Sequence, residues 1–191
     1  NPQGFCQIDE ARFTFFATDL DSESFSESGS QQWLWISDGT EEGTHLVAQA
    51  DCYFPGREEV SRWQTPCRVG RKVFFKADVA DKNQFTYGDE LWVTDGTEEG
   101  TFRVSEINLE PKFGDDGTTQ IGTIGPCVLY MQNYYNKGVT FRAWSMEHGN
   151  EVWFSDGTVD GTYEIADVMP GAGANGIGHG CDPSSFGEIY N

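Results

Sequence analysis

The sequence predicts an all-β protein of three four-stranded antiparallel repeat units, each resembling a propeller blade. Three observations predict it. One phrase is written three times, centred on Trp35, Trp92 and Trp153 at intervals of 57 and 61 residues, a period that marks stacked structural units. An aromatic or β-branched run of strand length precedes each copy. The 191 residues also include 23 glycines for tight turns, with 14 Phe, 7 Tyr and 6 Trp to fill a core.

Taken in order, the first unit carries Phe13-Thr14-Phe15-Phe16-Ala17 and then Leu34-Trp35-Ile36-Ser37-Asp38-Gly39-Thr40-Glu41-Glu42-Gly43-Thr44. The second carries Val73-Phe74-Phe75-Lys76-Ala77 and then Leu91-Trp92-Val93-Thr94-Asp95-Gly96-Thr97-Glu98-Glu99-Gly100-Thr101. The third carries Val139-Thr140-Phe141-Arg142-Ala143 and then Val152-Trp153-Phe154-Ser155-Asp156-Gly157-Thr158-Val159-Asp160-Gly161-Thr162. A cysteine opens each unit (Cys6, Cys67, Cys127), and Cys181 opens a truncated fourth.

These markers make residues 1–191 a single repeat domain with units at about 5–50, 67–107 and 126–169 and a fourth starting near 181. In the third unit the strands fall at about 127–132, 139–144, 151–155 and 162–168. The turn sequence Asn136-Lys137-Gly138 joins the first two strands and the repeated phrase joins the last two. The intervals 51–66, 108–125 and 170–180 read as long loops between units. Propellers close with roughly four to eight blades. Three units therefore predict part of a larger propeller or array, or an assembly of copies; a β-prism or, less well by repeat length, a β-trefoil would also hold three.

Each residue of the phrase has a structural reason. Trp35, Trp92 and Trp153 fill the space between adjacent sheets. Asp38, Asp95 and Asp156 accept hydrogen bonds from the turn that follows. Gly39, Gly96 and Gly157 take the positive φ that the turn requires. Gly43, Gly100 and Gly161 let the return strand start, and the threonine after each restores β propensity. The phrase thus reads as a long hairpin turn with nothing left over for catalysis.

The phrase resembles the ELWxxDGT repeat of large, secreted or surface-attached proteins. Glu90-Leu91-Trp92-Val93-Thr94-Asp95-Gly96-Thr97 matches in full; the third copy has Val152 for Leu, and the first has Trp33 for Glu. The resemblance spans nearly the whole chain. It implies a propeller-like β architecture, an extracellular setting, and surface or matrix roles more than a defined reaction. A cysteine in each unit and the long loops between units depart from the pattern.

The formal charge of −19 argues against nucleic acid and against anionic membrane surfaces. No apolar run is long enough to span a bilayer. Five scattered cysteines without a CxxC pair suit disulfides in an oxidising, extracellular compartment better than zinc or redox chemistry. Cys52–Cys67 is the pairing that closes the shortest loop between units.

Few constellations offer chemistry. Asp19, Asp21 and Glu23 alternate as hard oxygen ligands would around Ca²⁺, which is the one cofactor the sequence suggests and not one the fold requires. Trp33, Trp63 and Trp144 lie outside the repeated tryptophan position and are candidates for stacking on sugar rings. Gly171–Gly176 spells GxGxxG but lacks the strand and helix that a dinucleotide site needs. No GxSxG and no HExxH motif is present, and no enzyme is expected. The sequence therefore predicts a structural module of an extracellular matrix, surface layer, appendage or filament. Its expected partners are copies of itself or other extracellular structural proteins. A calcium-dependent carbohydrate-binding module, with glycans as partners, is the alternative.

Overall fold

The computed structural model describes residues 2–17, 33–48, 66–77, 90–104, 107, 111–113, 117–118, 120–123, 128–171, 178–181 and 183. Every regular element among them is a strand. Unit one comprises β1 (Gln3–Gln7), β2 (Phe13–Ala17), β3 (Trp33–Ser37) and β4 (His45–Ala48). Unit two comprises β5 (Cys67–Val69), β6 (Lys72–Ala77), β7 (Glu90–Thr94) and β8 (Phe102–Arg103). A hairpin of β9 (Pro111–Phe113) and β10 (Gln120–Thr123) follows. Unit three comprises β11 (Leu129–Tyr134), β12 (Gly138–Ser145), β13 (Gly149–Ser155) and β14 (Thr162–Ala166).

Each unit is one antiparallel sheet whose strands lie side by side in chain order. The interval expected to be a plain loop at 108–125 instead holds the two-stranded β9–β10 sheet, paired Gln120↔Phe113 and Thr123↔Pro111.

The pairing puts the three units in one register. Phe15 lies opposite Trp35, Phe75 opposite Trp92, and Phe141 opposite Trp153. Alternation along the strands then gives every sheet two distinct faces. One face carries Phe13, Phe15 and Trp35 in unit one, Val73, Phe75 and Trp92 in unit two, and Val139, Phe141 and Trp153 in unit three. The opposite face carries Phe16, Leu34 and Ile36 in unit one and Phe74, Leu91 and Val93 in unit two.

Two hydrophobic cores join unlike faces. The first packs Phe16, Leu34 and Ile36 of unit one against Val73, Phe75 and Ala77 of unit two, with Trp92 at its margin. The second packs Phe74, Leu91 and Val93 of unit two against Val139, Phe141 and Ala143 of unit three, with Trp153 at its margin. Unit two is thus covered on both faces. The Phe16 and Phe75 rings meet across the first interface at 5.4 Å between centroids.

The β11–β12 turn is centred on Tyr135 and Asn136, at φ 50° and 55°, with the Lys137 amide donating to the Tyr134 carbonyl at 2.9 Å. This is one residue earlier than the sequence suggests. The Asn133 side chain accepts the Asn136 amide at 2.8 Å and so holds the left-handed pair. Gly138 serves a different purpose: a Cβ there would run into the Ser155 carbonyl and the Phe154 ring. Among the described residues no helix is long and apolar enough to cross a membrane.

Candidate functional site

The repeated turn is a closed hydrogen-bond relay. In unit two the Asp95 carboxylate accepts from the Thr97 amide at 3.0 Å and the Thr97 hydroxyl at 2.7 Å. The Thr97 hydroxyl oxygen in turn accepts the Gly100 amide at 2.9 Å. The Thr101 hydroxyl donates to the Thr97 carbonyl at 2.5 Å, so Thr94 must donate its own proton to Thr101 across 2.6 Å. Thr94 is left to accept the Gly96 amide at 2.9 Å. The same circuit joins Ser37, Thr40 and Thr44 in unit one, and Ser155, Thr158 and Thr162 in unit three.

Two roles in that circuit differ from the sequence reading. The hydroxyl at Ser37, Thr94 and Ser155 bridges the strand ends, and its recurrence in register was the available signal. The second glycine does more than start the return strand: a Cβ at Gly43, Gly100 or Gly161 would fall on the Asp38, Asp95 or Asp156 carboxylate. The Thr40 and Thr97 side-chain bonds hold the Asp38 and Asp95 carboxyls below the ordinary carboxylate pKa.

In units two and three this turn docks on the preceding unit. Gly96, at φ 88°, sits against Ile36, Ile8 and Arg12 of unit one, while Gly157, at φ 85°, sits against Lys72 and Phe74 of unit two. Lys72 donates from Nζ to the Asp156 carbonyl at 3.2 Å. Both glycines are buried. Gly39, in the same conformation at φ 91°, is exposed and has nothing within 4 Å of its Cβ position among the described residues.

Unit one's Phe/Trp face is correspondingly open. Val73, Phe75, Val139 and Phe141 are at most 1% exposed, whereas Phe13 and Phe15 at the matching positions are only half-buried; Trp35 is half-buried, as Trp92 and Trp153 are. Phe5 joins them from β1 and is 60% exposed. The four rings form a continuous row: Phe5 lies 6.1 Å from Phe13 and 5.7 Å from Phe15, and Phe15 lies 6.4 Å from Trp35. The Trp35 indole donates to the Ala17 carbonyl at 3.3 Å, which fixes the plane of its ring.

The other end of the stack is unit three's outer face. Thr140, Arg142, Val152 and Phe154 are half-buried there, where the matching Thr14, Phe16, Leu34 and Ile36 of unit one are buried. Phe154 packs between Tyr134 at 6.0 Å and Tyr163 at 5.6 Å, and Arg142 stacks over Tyr130 at 5.4 Å. Tyr134 and Tyr163 are exposed.

The motif glutamate has a role that sequence reasoning left unassigned. Glu151 is fully buried and accepts the Val168 amide at 3.3 Å, the Cys181 amide at 3.2 Å and the Cys181 thiol at 3.0 Å. It thereby ties unit three to Cys181. Glu90 holds the same register and is also fully buried. Nearby, His148 Nδ1 lies 2.9 Å from Glu164, a contact that raises the imidazole pKa, helped by the fields of Glu147 and Asp167. At the start of the chain, hydrogen bonds from Arg12 and Ala11 lower the Asp9 carboxyl to about 2.

The candidate ligand-binding residues do not converge among the described residues. Asp19, Asp21, Glu23, Trp63 and Cys52 lie outside the described residues. Trp33 is 7% exposed and Trp144 is half-buried. Cys6, Cys67 and Cys181 form no disulfide with one another. Burial raises the Cys6 thiol pKa. No group of three or more metal-ligating side chains occurs among the described residues. Comparison with protein-family models, curated proteins and solved structures returns no match.

Proposed function

We propose that this chain is a structural assembly module of an extracellular matrix, surface layer, appendage or filament, built from repeats of the ELWxxDGT type. One observation carries the reading: the units pack by joining unlike faces, and among the described residues one of those faces is left without a covering sheet at each end of the three-unit stack. Uncovered ends of a repeat array favour further stacking. The hairpin relays support a scaffold role, since their polar groups are spent on holding the turn and not aimed at a ligand. The five cysteines and the acidic surface support an extracellular setting. Electron microscopy and light scattering of native material test it. Regular assemblies in the extracellular fraction are expected; a monodisperse monomer at high concentration refutes the reading.

A further inference from the structure

We propose that the open Phe/Trp face of unit one receives the outer face of unit three from a second copy of this chain, head to tail. The inference rests on the assembly reading and names its contact surface and partner.

The molecule displays the required contact twice within itself. Wherever a unit precedes, the face bearing the Phe–Trp pair is covered by the opposite face of that unit, once around Phe75 and once around Phe141. The turn glycine is buried in the same contact, against Ile36 at one interface and Phe74 at the other. Unit one has the same backbone register and the same turn, but its turn glycine is exposed and nothing among the described residues covers its Phe/Trp face. Its row of Phe5, Phe13, Phe15 and Trp35 is larger than the Val73–Phe75–Trp92 set that the internal interface buries, because phenylalanine replaces valine at position 13 and Phe5 is added. The face that mates with it internally is the one unit three presents outward, where Val152 and Phe154 hold the Leu34 and Ile36 positions and Tyr163 extends the apolar surface. Arg142 on this face also brings a cation to an aromatic surface, in a chain that is otherwise strongly acidic. The two surfaces differ, so the contact is heterologous: it closes into a ring or runs on as a filament according to the rotation between copies.

The test uses the whole chain with Phe5→Ser and Tyr163→Ser, each of which alters an exposed side chain. Mass is read by light scattering and analytical ultracentrifugation at about 0.15 M salt, where surface charges more than roughly 8 Å apart are screened. Circular dichroism and the melting temperature of each variant confirm folding. Wild type is expected to associate, and each variant to shift at least tenfold toward monomer. Mixing the two variants is the decisive step. Phe5→Ser keeps an intact unit-three face and Tyr163→Ser keeps an intact unit-one face, so the mixture is expected to form a one-to-one heterodimer and nothing larger. Association unaffected by either change, or no heterodimer on mixing, overturns the head-to-tail surface and leaves the assembly reading standing. A wild-type chain that stays monomeric at high concentration overturns both.

Discussion

Gly100 and Asp95 form a pair whose coupling can be worked out before it is measured. Replacing Gly100 by alanine puts a methyl group where the Asp95 carboxylate lies. Gly100 does not carry a positive φ, so alanine meets no backbone penalty there. The carboxylate must leave the Thr97 amide at 3.0 Å and hydroxyl at 2.7 Å. Both bonds are solvent-exposed and are worth about 0.5–1 kcal/mol each, well under the value for a buried charged acceptor. Turning the side chain off its rotamer adds about 0.5–1.5 kcal/mol, and alanine returns about 0.4–1 kcal/mol by restricting the unfolded chain. G100A alone should therefore destabilise by about 1–2 kcal/mol. In a D95A background the obstruction is gone and only the unfolded-state gain remains, so G100A should stabilise by about 0.5 kcal/mol. The coupling is about 2 kcal/mol, read as shifts in urea midpoint at unchanged slope across wild type, both single variants and the double variant. If the single changes add to within about 0.5 kcal/mol, the carboxylate does not occupy the space above Gly100 and the account of the second glycine is wrong.

Three further outcomes follow from the same geometry. G96A should cost about 1 kcal/mol more than G39A in thermal or urea unfolding: both glycines have φ near 90°, but only Gly96 has Ile36 against it, at 2.6 Å from the Cβ position; equal costs would mean that the turn does not dock. His148 is raised in the folded state by Glu164, so its stabilisation is complete below the unfolded value of 6.5 and fades as pH rises through the folded pKa. The urea midpoint should thus fall as the pH rises above 6.5, and H148Q should flatten that slope; an unchanged slope in H148Q removes the contact from the account. E151A should destabilise by about 2–4 kcal/mol, since it opens a buried cavity and takes the acceptor from the Val168 amide and the Cys181 thiol (the Cys181 amide keeps the Asn150 carbonyl at 2.9 Å), while C181S, which keeps a donor for Glu151, should cost less than half as much; equal effects would show that the cysteine acts by packing.

Much of this architecture was legible in the chain because it is encoded over short distances. Alternation along Phe13–Ala17 and its counterparts marks strands, and the Ser/Thr-Asp-Gly-Thr phrase marks the hairpin between the third and fourth strand of each unit. Those signals depend on residues within about ten positions of one another. The β9–β10 hairpin was missed because its strands are three and four residues long, too short for a period to emerge. The second role of Gly43, Gly100 and Gly161 was not legible because a folded-back carboxylate has no signature in sequence.

The sequence by itself determined the number of units, the order of strands and the turn that closes each hairpin, since these follow from local propensity and side-chain alternation. Only the tertiary structure decided which face of each sheet is covered. Phe15 and Phe75 stand at the same position of the repeat, yet Phe75 is buried in a core while Phe15 is half-buried in an aromatic row. The motif glutamate likewise carries no hint of its partner: Glu151 binds Cys181, 30 residues further on. A repeated sequence gives each unit the same surfaces, and the neighbours supplied by stacking determine which of them reach solvent.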